Sequence, residues 1–209
     1  FNWFLRSSYF VLDESSTAVK DPPIVAVQPG LDLALNDTTH ARVALSSYFT
    51  NNLSGVTLAH SANTNIIGAS GLETDYSATV LSGSVGFKGL KDRFGIALVS
   101  PFAEIVYSNQ STSNKGAIAG VTFGDIKVND CGKWQSTISY RYLGRDSWLD
   151  TFPDSDSYGG ATNVEGLEFI FNYGLSKSIK LGFDLYSMDV IQGTKDRQSL
   201  AQLDLNFKF

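Results

Sequence analysis

A single cysteine, Cys131, rules out an intramolecular disulfide framework. It sits in Asn129-Asp130-Cys131-Gly132, which reads as a turn, and an incidental turn thiol is the expectation. No stretch approaches the roughly 18 unbroken apolar residues of a membrane helix, so helical spanning is excluded. Histidine is nearly absent. His40 and His60 stand apart without metal-ligand spacing, and Glu73 and Asp75 are too far along from His60 to form a catalytic group. No catalytic residue, metal or cofactor is assigned, and the enzyme class lacks its residues. Basic residues are outnumbered, 16 against 21 acidic, and no basic patch interleaves with aromatics. A net charge of −5 gives no support to a nucleic-acid partner. Phe1-Asn2-Trp3-Phe4 reads as strand and not as a signal peptide, so the chain is expected to be mature or to lack its N-terminal part. Of the two, the expectation is a chain whose N-terminal strands are absent.

What the chain does have is aromatics, at 12% of residues, and glycine, at 19 residues. That balance suits strands and turns. Hydrophobic residues make up 43%. Mean hydropathy is only −0.05, a value that β-barrels share with soluble proteins because only alternate residues face lipid. The clearest alternation closes the chain. Ala201, Leu203, Leu205, Phe207 and Phe209 fall on one face of an extended strand, and Gln202, Asp204, Asn206 and Lys208 on the other. A strand of about 10 residues with one apolar and one polar face fits a barrel wall, lipid outside and water inside.

Period-two reading with turn residues as boundaries gives ten strands, at about 2–12, 28–35, 40–50, 74–88, 94–107, 116–126, 133–143, 164–175, 179–190 and 199–209. In the seventh, Trp134, Ser136, Ile138, Tyr140 and Tyr142 oppose Gln135, Thr137, Ser139 and Arg141. Pro101 inside the fifth predicts a bulge or a locally missing hydrogen bond. Short turns at 36–39, 89–93, 127–132 and 176–178 alternate with longer connections at 13–27, 51–73, 108–115, 144–163 and 191–198. A soluble sandwich or a lipocalin-like barrel would also alternate its residues, but it has no reason to sort its loops. Outer-membrane barrels do, with short turns periplasmic and long loops extracellular. The expected fold is therefore all-β: one antiparallel transmembrane barrel domain over 1–209, in the bacterial outer membrane. Two closures stay open. The ten strands form a narrow, filled barrel, or they are the C-terminal part of a larger one of about 16 strands.

The second half also resembles a family. Trp134-Gln135-Ser136-Thr137-Ile138-Ser139-Tyr140-Arg141-Tyr142-Leu143 is followed by Phe152-Pro153-Asp154-Ser155-Asp156. Then come Gly159-Gly160-Ala161-Thr162-Asn163-Val164-Glu165-Gly166 and the ending Leu203-Asp204-Leu205-Asn206-Phe207-Lys208-Phe209. From about 133 to 209 this is similar to the C-terminal region of the putative porin family of Gram-negative outer-membrane barrels. The resemblance implies passive diffusion of small hydrophilic solutes, no catalysis, and an aromatic end read by the barrel assembly machinery. Leu203, Leu205, Phe207 and Phe209 would carry that signal. Family members are usually longer, with more strands ahead of this region. Porins often trimerise, and nothing in this chain marks a homotrimer interface.

The candidate pore-lining residues are Arg42, Arg141, Glu168, Lys180, Asp184, Asp204 and Lys208 on the polar face. Cross-strand pairing is expected for Glu168 with Lys180 or Arg141, and for Lys180 with Asp204. Asp146, Asp150, Asp154 and Asp156 against Arg145 would make an acidic extracellular mouth. Such a mouth concentrates cations over about 10 Å at 0.1 M salt, which gives a mild cation preference. Asp154-Ser155-Asp156-Ser157 before Gly159-Gly160 lacks the bidentate Glu of a complete calcium loop and reads as a solvated acidic loop. Both 51–73 and 144–163 are long enough to fold inward. Tyr173, Trp134, Phe207 and Phe209 are expected at one lipid interface, and Tyr142 and Trp148 at the other. The rival function is a non-conducting barrel that anchors, sheathes or scaffolds a partner protein.

Overall fold

The computed structural model describes residues 1–14, 20–90 and 95–208. Alternating sequence becomes strand: β1 (Asn2–Val11), β2 (Pro23–Ala34), β3 (Thr39–Thr50), the short β4 (Ile67–Gly68) and β5 (Gly71–Leu72), β6 (Ser77–Lys88), β7 (Leu98–Ser108), β8 (Lys115–Gly124), β9 (Trp134–Leu143), β10 (Val164–Gly174), β11 (Ile179–Val190) and β12 (Arg197–Phe207). All except β4 and β5 join one antiparallel meander in the order β1-β2-β3-β6-β7-β8-β9-β10-β11-β12. The small β4–β5 hairpin lies within the connection 51–76. One 3-10 turn, Tyr158–Gly160, interrupts the connection 144–163.

The sheet is open. β1 and β12 stand at its edges, and among the described residues no ladder joins them to close the narrow ten-stranded barrel. Two strand boundaries also differ from the sequence reading. β2 starts at Pro23, not near Gln28, because a proline is tolerated as the first residue of a strand, where Pro23 faces Val11. β7 starts at Leu98, so the turn 89–97 is longer than expected and exceeds the connection 109–114. Loop length therefore does not sort strictly at that point. Part of that turn, 91–94, lies outside the described residues.

Pro101 interrupts the β6–β7 ladder without shifting it. Ser84 pairs with Phe102 and Phe87 with Val99 in the same register, with no pairs between them. On its other side Pro101 still faces Val121 of β8. The missing donor is thus a local gap, as a proline requires, and no bulge forms. Pro29 leaves a similar gap between β2 and β3. There Gln28 Nε2 donates to Ser46 Oγ at 2.7 Å, a side-chain bond in place of ladder bonds.

The two faces of the sheet differ in chemistry. One carries Leu5, Leu31, Val43, Leu45, Leu81, Ile105, Ile138, Leu167, Leu185 and Leu203, all exposed. Apolar exposure that runs from edge to edge far exceeds the scattered apolar residues of a soluble surface. The other face carries Gln28, Asp32, Arg42, Ser46, Ser82, Glu104, Thr122, Thr137, Arg141, Glu168, Asp184 and Asp204, placed by the same alternation. No helix is long and apolar enough to cross a membrane, which says nothing of strands.

A small apolar core sits at the long-loop end. Leu53, Leu58, Leu72, Tyr76, Ala78 and Leu149 are buried together there, with Leu12, Val56, Val106 and Trp148 packed against them. The long connections are thereby held as folded structure.

Candidate functional site

The connection 144–163 folds over the polar face of the sheet. At its start, the Asp146 carbonyl accepts from the Tyr76 hydroxyl and, at 2.6 Å, from Ser108 Oγ. Trp148 then meets Tyr48 of β3 edge-on, with ring centroids 4.8 Å apart, and tilts against Phe152 at 5.9 Å. Farther along, Asp154 Oδ2 accepts from the Tyr186 hydroxyl of β11 at 3.1 Å. Gly159 and Gly160, both at positive φ (65° and 79°), turn the chain back, a conformation that L side chains resist. The loop thus touches both sides of the wall. An inward fold, open to either long connection from sequence, is realised by this one.

Asp146 and Asp150 correct the expectation of a uniformly acidic mouth. Each is only 4% exposed. Asp150 accepts from the amides of Thr64 (2.7 Å) and Asn65 (3.0 Å) and from Ser61 Oγ (2.7 Å). Asp146 Oδ1 accepts from the Ile66 amide at 2.8 Å. Asn65 answers with its Oδ1 to the Asp150 amide (2.9 Å) and its Nδ2 to the Arg145 and Trp148 carbonyls (2.7 and 2.8 Å). These carboxylates knot loop 51–76 to loop 144–163. Only Asp154 and Asp156 of the four remain toward solvent.

Burial raises the Asp146 carboxyl above the ordinary carboxylate range, with the nearby Asp150 adding to it. The Ile66 amide, Asn65 and the Arg145 charge oppose that rise. A raised folded value means that the folded state is favoured most when Asp146 is protonated and its desolvated charge is removed. Its contribution is full below about 3.8 and is lost as pH climbs through the raised value. Stability against denaturant in micelles should therefore fall as pH rises through that value. Asp146→Asn, which keeps the acceptor oxygen for Ile66, should flatten that fall.

On the wall, Arg141 and Glu168 meet at 2.8 Å, with Ser139 Oγ donating to the second carboxylate oxygen at 3.2 Å. Glu168 is 5% exposed. Of its two expected partners, Arg141 is the one used, and Lys180 forms no ion pair among the described residues. Arg42 pairs with Asp32 of β2, its Nε at 2.5 Å and a second nitrogen at 2.9 Å. The Arg42 and Arg6 guanidinium groups both lie over the Phe4 ring, at 5.3 and 5.0 Å from its centroid. Asp184 has Asp204, Asp154, Asp156 and Lys180 as its charged neighbours. Asp204 faces Gly182 across the β11–β12 ladder. Lys208 follows β12 and ties back through its amide to the Ser178 carbonyl at 2.9 Å.

Sequence reasoning missed Asp32, Glu104 and Tyr48. Asp32 was legible in principle, since the hairpin around 36–39 sets Asp32 opposite Arg42. Trp148 stands against the inward Tyr48, not at a lipid interface, because the loop that carries it turns inward. Leu203 (69% exposed), Leu205 and Phe207 project from β12 on the apolar face, while Phe209 lies outside the described residues. Cys131 is exposed in its turn, and no group of metal-ligating side chains occurs among the described residues.

A sheet with one apolar face, one charged and hydroxylated face, and a loop laid over the latter has the construction of a channel wall. No curated protein matches the chain. The profile of the putative porin family matches residues 92–209, which takes in β7 to β12 and extends the resemblance upstream of Lys133. More than half of the sequence lies within that match, and the chain belongs to the putative porin family.

Proposed function

We propose that this chain forms much of the wall of an outer-membrane diffusion channel for small hydrophilic solutes and ions, with a mild preference for cations. The observation that carries this reading is the loop 144–163 lying on the polar face, pinned to Tyr48 at one end and Tyr186 at the other. A soluble sheet gains nothing from a large apolar outer face, whereas a lipid-facing wall requires one. In lipid, the unpaired N–H and C=O groups at the β1 and β12 edges need partners at several kcal/mol each. Further strands between these edges would supply them and complete a larger barrel of about 16 strands. The short turns would face the periplasm and the long loops the exterior, with Leu203, Leu205, Phe207 and Phe209 presented to the assembly machinery. A homotrimer is compatible with this arrangement.

The charge preference follows from pairing. Arg42 and Arg141 have their charges matched by Asp32 and Glu168. That leaves Glu104, Asp154, Asp156, Asp184 and Asp204 against Arg6, Lys88, Lys180 and Lys208 along the wall, a small acidic excess. Their field reaches about 10 Å at 0.1 M salt, enough to bias a narrow path and too little to make it strict. Purified protein in a planar bilayer under a potassium chloride gradient should show stable open steps and a reversal potential on the cation side. Folded protein that stays silent in the bilayer would favour the scaffold reading.

A further inference from the structure

We infer that the cavity beneath the infolded loop binds a small organic ammonium ion with an apolar or aromatic body. This deepens the channel reading and rests on it for its biological sense, though not for its test. The cavity holds about 430 Å³ and opens on the polar face. Glu104 lies on its floor, Tyr48 and Trp148 form one wall, and Pro153 of the loop contributes to the lining.

Three features select the ligand class. Glu104 has no ion pair or hydrogen bond among the described residues, so it offers a free carboxylate. Arg141 also lines the cavity, but its charge is matched by Glu168 at 2.8 Å, which leaves the pocket net negative. An anion is therefore repelled. The remaining lining sets apolar Val80, Val106, Ala117, Ile118 and Leu143 beside the neutral polar Gln28, Ser46 and Ser82, and a bare metal ion would find one carboxylate where it needs six or more oxygens, most of them charged or carbonyl. A neutral solute would bury that carboxylate without a counter-charge. An ammonium group answers Glu104, and the edge-to-face pair of Tyr48 and Trp148 presents aromatic surface to its body. A volume of this size suits one compact molecule.

The test is made on the intact chain folded in detergent micelles, with Trp3→Phe and Trp134→Phe so that Trp148 is the sole reporter. Its fluorescence is titrated with 2-phenylethylammonium, 2-phenylethanol and 3-phenylpropionate. The ammonium should give a saturable change, the alcohol should bind about tenfold more weakly, and the carboxylate should not bind. Glu104→Gln should bring the ammonium down to the level of the alcohol. Equal affinity for ammonium and alcohol in the parent protein overturns the inference, as does ammonium binding unaltered by Glu104→Gln in protein with normal heat-modifiable mobility. Binding is read without current. A silent barrel that prefers the ammonium would sink conduction and leave this site standing, and an open channel without that preference would do the reverse.

Discussion

Replacing Trp148 and Asp154 together by alanine should raise single-channel conductance severalfold and add slow current noise. Both side chains hold the loop to the wall, one edge-on against Tyr48 at 4.8 Å and the other through the Tyr186 hydroxyl at 3.1 Å. An aromatic pair of this kind contributes about 0.5–1.5 kcal/mol beyond burial. A partly exposed hydrogen bond adds about 1 kcal/mol. Loss of about 2 kcal/mol multiplies the detached population roughly 30-fold. The knot to loop 51–76 through Asp146 and Asp150 stays in place, so the loop swings without being lost. Each single variant should show an intermediate rise. Unchanged conductance in the double variant would mean that current does not pass beneath this loop.

Arg141→Met should destabilise the sheet by about 3–5 kcal/mol, because it leaves the buried carboxylate of Glu168 with neutral hydroxyl donors, Ser139 among them, and no counter-charge. Denaturant unfolding in micelles, followed by tryptophan fluorescence, would read the loss. Arg141→Met combined with Glu168→Leu should recover most of it, since replacing both members of a buried pair by apolar groups is often near neutral. The double variant separates the desolvated charge from mere loss of packing. If it is as unstable as the single one, the pair matters for its shape and not for its charge.

Most of the wall was legible from sequence because period two is its only demand. β9 to β12 alternate cleanly, so residues such as Ile138 and Arg141 fall on opposite faces by counting alone. β2 begins at Pro23, ahead of the expected Gln28, because a proline is tolerated as the first residue of a strand. The β4–β5 hairpin has two residues per strand, too few for any periodicity. The loop chemistry was hidden for another reason. Composition counts Asp146 and Asp150 with Asp154 and Asp156, but it cannot tell a carboxylate that collects amide donors from one that faces water. The donors to Asp150 come from Ser61, Thr64 and Asn65, on another loop entirely. Trp148 was misplaced on the same ground, since its partner Tyr48 lies six strands away in the sheet from β11, where the loop's other anchor sits.

The most direct measurement compares two neighbouring cysteines on β6 in a Cys131→Ser background: Ser82→Cys on the polar face beneath the loop, and Leu81→Cys on the exposed apolar face. Each is recorded in a planar bilayer while a small charged methanethiosulfonate reagent is added. Stepwise loss of current in Ser82→Cys, with none in Leu81→Cys, is the expected result. Equal block at both positions, or block at Leu81→Cys alone, would contradict a solute path along the polar face.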